Sequence, residues 1–185
     1  MKVQNFFENY VSDLKQNIVF DKITINKIVR IYKEFEKLKK NNNKIIIFGN
    51  GGSAAIANHF TLDLTNVCNI KCVNFNESSL ITCFSNDYGY HNWVKKCLEF
   101  YYSKNDIVIF ISSSGESKNI INGCKFAIKK KSFIITLSGF DKNNSLNKLG
   151  DINFWVNSKK YNIIENVHQI ILLSIVDYIA SRNRI

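Results

Sequence analysis

Two short stretches of this chain concentrate residues able to hold a charged ligand. Ile111-Ser112-Ser113-Ser114-Gly115-Glu116-Ser117 places four hydroxyls around one glycine, after an apolar run and before a helical pattern. Hydroxyls and free N–H groups at the positive end of a helix suit a phosphate monoester with its terminal oxygens. A plain serine-rich turn has no need of such clustering at the end of a buried strand. Glu116 in the same loop implies that neutral donors, not a lysine, read the anion. The second stretch is Gly49-Asn50-Gly51-Gly52-Ser53, again between an apolar run and a helical pattern. Its glycines permit close backbone approach and positive φ. Ser53 is placed to cap the next helix and turn its hydroxyl to an anion. The same residues also make an ordinary strand-to-helix turn, and this loop alone leaves both readings open. A dinucleotide fingerprint is excluded, because GxGxxG would need a glycine where Ala54 stands.

Two titratable pairs lie downstream of these loops. His59 and Asp63 are spaced i and i+4 on one predicted helix, so both face one side. Alone, His59 reads as a buried, hydrogen-bonded histidine; a carboxylate one turn on and an anion loop nearby favour a site role. Glu165 and His168, at i and i+3 near the C-terminus, form a second pair. Asp87 follows Asn86 in an expected turn, where its carboxylate either accepts ligand hydroxyls or is simply solvated. His91 and Trp93 read as packing and surface residues.

These groups need elements to position them. Apolar residues at helical spacing predict helices over 4–18 and 22–40. Lys44–Phe48 is a short apolar run ending in glycine, the pattern of a buried parallel strand. The alternation continues with a helix over 53–66, a strand over 71–75 and helices over 78–85 and 90–102. Then come a strand over 107–111, a helix over 117–130, strands over 133–137 and 152–156, and a helix over 162–181. Strands alternating with helices imply right-handed βαβ units and a parallel sheet covered on both faces. Ligands in such sheets bind beyond the carboxyl ends of the strands, where both loops fall.

The 185 residues fit one domain, 1–185, with 1–42 as packing helices and 43–185 as the α/β core. Apolar residues make up 45% and aromatics 13%, as in a globular protein. No apolar run approaches the ~20 residues of a membrane span, and the polar N-terminus lacks the apolar region of a signal peptide. A cytoplasmic location and no membrane partner are therefore expected. The five cysteines are odd in number with no CxxC pair, which reads as a reduced, mostly buried set. The net charge of +10 comes from lysines at the ends of helical patterns, which solvate the surface and complement helix dipoles. No nucleic-acid partner is expected, although the field favours anionic metabolites.

Taken together, the segments Gly49–Phe60, Ser85–Tyr90, Ile111–Ser117, Ile135–Phe140 and Ile164–His168 resemble the sugar-isomerase (SIS) family. The likeness is closest to its phosphoheptose isomerase branch, in order and spacing, over about residues 44–180. It implies a three-layer α/β sandwich with a five-stranded parallel sheet behind an N-terminal helical pair. It also implies a homotetramer with active sites at subunit interfaces. The implied reaction converts sedoheptulose 7-phosphate to D-glycero-manno-heptose 7-phosphate, for surface polysaccharide, through an enediol(ate).

The resemblance assigns substrate binding to Asn50, Gly51, Gly52, Ser53, Asp87, Ser112, Ser113, Ser114 and Ser117. It places His59 at a zinc ligand, Asp63 at a catalytic glutamate one methylene longer, and Glu165 at a ligating glutamine. Zinc on His59, Asp63 and Glu165 is thus the implied cofactor. The family's second catalytic histidine falls on Leu173, which neither binds metal nor moves a proton, and Asn162 stands at a substrate-side aspartate. His168 matches a histidine that the family does not use as a principal ligand. Asp63, Glu165 and His168 are the candidate acid–base groups. An alternative is a non-catalytic SIS protein that binds a sugar phosphate as a regulator or assembly platform.

Overall fold

The computed structural model describes residues 2–183. Two helices come first, α1 (Val3–Asn17) and α2 (Lys22–Lys40), the second capped by Asp21 accepting from the Thr24 amide at 2.7 Å. The core then runs β1 (Ile45–Phe48), α3 (Gly52–Asn66), β2 (Cys72–Val73), α4 (Ser78–Tyr88), α5 (Trp93–Tyr101) and β3 (Ile107–Ser112). It ends with α6 (Lys118–Lys129), β4 (Phe133–Ser138), a short 3-10 turn (Leu146–Lys148), β5 (Ile152–Trp155) and α7 (Tyr161–Asn183). All strands are parallel, in the order β2-β1-β3-β4-β5.

Strand side chains alternate between faces, and that alternation sorts the continuous apolar runs into two cores. Ile45, Ile47, Ile107, Ile109, Ile111, Ile135 and Leu137 pack with α2, α3 and α7. Ile46, Phe48, Val108, Phe110 and Ile134 pack with α5 and α6, with α4 outside them. The result is three layers: helices, sheet, helices.

Several boundaries differ from expectation. β2 has two residues instead of five, because it is an edge strand whose continuation turns off the sheet. Asn74 there bonds Thr61 at 3.1 Å and Asn76 bonds Asn58 at 2.7 Å. α4 runs on to Tyr88 and stops at Gly89, whose φ of 81° no helix continues. Asp87 therefore lies in a last helical turn and not in a loop. α7 is long and apolar enough, by composition alone, to cross a bilayer, with a mean hydropathy of 1.4. Its apolar stripe, Ile164, Val167, Ile171 and Ile175, instead packs against the sheet.

Candidate active site

β1 and β3 are neighbours whose chains depart to opposite sides, β1 toward β2 and β3 toward β4. That is the switch point of an open parallel sheet, where a crevice opens beyond the strand ends. The glycine turn leaves β1 and the serine loop leaves β3 at this position.

The glycine turn is set by its backbone. Gly51, with φ 54°, is the residue before α3, and no side chain caps the helix. Ser53, expected as the cap, lies inside the first turn and is buried. The α3 start therefore keeps N–H groups unsatisfied by capping, and no acidic residue shields its first turn. A Cβ at Gly52 would run into the Glu165 carboxylate, so a larger residue there has to push the end of that side chain aside.

The serine loop is similarly open to an anion. Ser112 ends β3, and Ser117 precedes α6 without capping it, its hydroxyl accepting from Ser112 Oγ at 3.1 Å. Ser114 Oγ accepts from the Glu116 amide at 3.2 Å. Ser113 Oγ donates to Glu165 Oε1 at 3.3 Å, which brings α7 to the loop.

Asn50 and Asn119 join the two loops. Their amides exchange hydrogen bonds in both directions, at 3.0 and 2.9 Å, and Tyr90 Oη donates to Asn50 Oδ1 at 3.2 Å. Asn119 was not singled out from sequence. The signal was a polar residue on the buried face of a helix: it is 2% exposed in the first turn of α6.

The His59–Asp63 pair forms as expected, Nε2 to Oδ2 at 3.1 Å. Gln169 of α7 meets His59 Nδ1 at 3.3 Å, another contact the sequence did not announce. Between α3 and α7 lies a cavity of about 330 Å³ lined by Gly52, Ile56, His59, Asn162, Glu165 and Gln169. A larger hollow, about 840 Å³, lies by the α1–α2 connection and β5, lined by other residues.

Two expected site residues are not brought to this group. Asp87 accepts from Asn86 Nδ2 at 3.0 Å and meets Cys83 Sγ at 3.6 Å, both on its own helix. His168, expected beside Glu165, turns into the core and is fully buried. Its Nε2 lies 3.1 Å from the Ser138 carbonyl. A carbonyl only accepts, so Nε2 carries the proton and Nδ1 is left without a partner. Burial pushes this imidazole down to about 4.

The expected zinc set does not assemble either. Both ring nitrogens of His59 are engaged, one by Asp63 and one by Gln169, while Glu165 turns to Ser113. Among the described residues no three His, Cys, Asp or Glu side chains cluster to hold a metal.

Two donor-rich loops at a switch point, with a histidine–carboxylate pair and a glutamate beside them, give an open α/β protein a crevice whose chemistry suits an anion. Comparison with known proteins narrows that class. The SIS domain family matches residues 5–139. The phosphoheptose isomerase of Aliarcobacter butzleri is 38% identical over 135 residues, 70% of this chain and 71% of that protein. That of Sulfurimonas denitrificans is 35% identical over 173 residues, covering 90% and 88%. The structure of phosphoheptose isomerase GmhA from Neisseria gonorrhoeae superimposes with a TM-score of 0.85 at 27% identity, covering 96% of this chain and 98% of that one. The chain belongs to the SIS-domain family, in its phosphoheptose isomerase branch.

Proposed function

We propose that this chain is an aldose–ketose isomerase interconverting sedoheptulose 7-phosphate and D-glycero-manno-heptose 7-phosphate, in the service of surface polysaccharide. One observation carries the reading: the serine loop meets Glu165 through Ser113, beside the cavity that also holds His59. A phosphate on the serine loop then leaves the sugar chain running toward Glu165 and the His59–Asp63 pair.

Moving a carbonyl from C2 to C1 requires a base for a carbon-bound proton and an acid for the oxygens. We give the proton chemistry to Asp63, oriented by His59, and to Glu165. Asn50, Gly51, Gly52, Ser53, Ser112, Ser113, Ser114 and Ser117 hold substrate, whereas Asp87, whose bonds stay on its own helix, is given no substrate contact within one subunit. His168 is not given a proton step, because its enclosed, neutral imidazole exchanges nothing at neutral pH. Zinc remains the family-based cofactor on His59, Asp63 and Glu165, and binding it would require each of those side chains to leave its present partner.

The proposal includes one domain over 1–185 and a homotetramer built through 1–42. Phe7 and Val11 of α1 and Ile23 and Val29 of α2 are exposed apolar residues, which supports association. A cytoplasmic location suits a phosphorylated substrate. The second reading, a non-catalytic sugar-phosphate regulator or assembly protein, is favoured by the sequestration of His168 and the dispersed metal donors.

NMR of sedoheptulose 7-phosphate in deuterated water, with and without zinc, separates the two. The isomerase washes deuterium into the ketose at C1, and Asp63→Asn abolishes this exchange while binding stays nearly intact. Absence of exchange with any ketose phosphate, with or without metal, ends the isomerase reading.

A further inference from the structure

A carboxylate inside a phosphate-binding loop is unexpected, since a free Glu116 would repel the dianion it sits beside. Its oxygens are not free. Oε1 accepts from the Ser145 amide at 2.6 Å and Oε2 from Ser145 Oγ at 2.9 Å. Charge-assisted pairs of this kind are short and directional. Ser145 opens the 3-10 turn Leu146–Lys148, in the segment that follows β4.

The backbone of the serine loop is tied to the same segment. The Ser113 carbonyl accepts from the Gly139 amide at 2.8 Å, and the Gly115 carbonyl from the Leu146 amide at 3.0 Å. Asn144, 2% exposed, braces the segment from inside. Its Nδ2 donates to Ser138 Oγ at 3.1 Å, the Gly139 carbonyl at 3.1 Å and the Asp141 carbonyl at 2.7 Å. Its Oδ1 accepts from the Asn147 amide at 2.9 Å. Gly115 sits at φ 69°, and a Cβ there would strike the Asn144 amide. The segment after β4 thus grips the loop through Glu116 and two backbone carbonyls.

We infer that Glu116 is a positioning residue for the phosphate loop. By clamping Ser145 it holds Ser112–Ser117 in the shape that presents hydroxyls and the α6 N-terminus to phosphate. The clamp also keeps its own charge engaged away from the ligand. This rests on the phosphate-loop reading of the proposed function and extends it to a residue that never touches substrate.

The test compares Glu116→Ala with Glu116→Gln, which keeps one acceptor for the Ser145 amide. Calorimetry with inorganic phosphate is run alongside ketose-phosphate kinetics. Glu116→Ala should weaken phosphate about fivefold to tenfold and raise KM equally, with kcat within about twofold, because phosphate is held alike in ground and transition states. Glu116→Gln should recover most of the loss. Phosphate affinity that is unchanged or tighter in Glu116→Ala overturns the inference, as does a wild-type protein that binds no phosphate. If Glu116→Ala does not fold, Ser145→Ala removes a single donor and should still weaken phosphate about threefold; no change there also overturns it. Phosphate binding without ketose turnover would end the isomerase reading alone, leaving the clamp to be judged by calorimetry.

Discussion

Acidification is the sharpest probe of the buried histidine. His168 is enclosed by the core, and burial depresses its pKa from 6.5 to about 4. Between those values the unfolded chain binds a proton that the folded chain refuses. Stability therefore falls as pH drops through the window and stops falling, on this account, below about pH 4. Two linked protonation equilibria with these constants give a loss of about 2 kcal/mol between pH 7 and pH 5, and ~3 kcal/mol in full. The comparison is urea unfolding of wild type and His168→Gln at both pH values. The glutamine amide still donates to the Ser138 carbonyl but does not titrate, so other acid-sensitive groups cancel. Wild type should lose about 2 kcal/mol more than the variant over that interval. Parallel losses would show that His168 ionises as freely folded as unfolded, and the reasoning from burial would be refuted.

Three further outcomes are expected. Replacing Ser112 and Ser117 together with alanine removes two donors to a charged group, each worth roughly 1.5–3 kcal/mol; sugar-phosphate binding in calorimetry should weaken well over tenfold with little change in thermal stability. Gly52→Ala puts a methyl against the Glu165 carboxylate and should displace it from Ser113, lowering kcat more than melting temperature. Light scattering should report about four chains per particle, and a clean monomer at micromolar concentration would remove the interfacial site from the proposal.

Much of the sheet was legible because each strand carries two signals at once. β3 is apolar up to its last residue and β4 nearly so, Thr136 excepted, which marks burial on both faces, and each ends in serine, which marks the crevice. Their loops follow from the same logic, since hydroxyls and glycines at strand ends have little packing purpose. β2 was overread because its edge position is a tertiary fact: Asn74 and Asn76 leave the sheet for partners on α3. Asp87 was misplaced for a local reason, the helix stop falling at Gly89 and not before Asn86. Glu116, Asn119 and Asn144 were unreadable as a set, because their partners lie 29, 69 and 6 residues away.

The last helix shows why spacing alone put His168 beside Glu165. At i and i+3, Glu165 and His168 are about 60° apart around α7, near enough to look like one face. The burial boundary runs between them. Ile164, His168, Ile171 and Ile175 form the stripe packed into the sheet, whereas Glu165 and Gln169, at i and i+4, form the ridge facing α3. Leu173 continues that ridge and packs against the core, so the ridge itself passes from polar to apolar within two turns. The polar contacts of this ridge therefore lie in the N-terminal half of α7, where Glu165 meets the serine loop and Gln169 meets His59 of α3. A histidine one step off that ridge is a core residue, however close it stands in sequence.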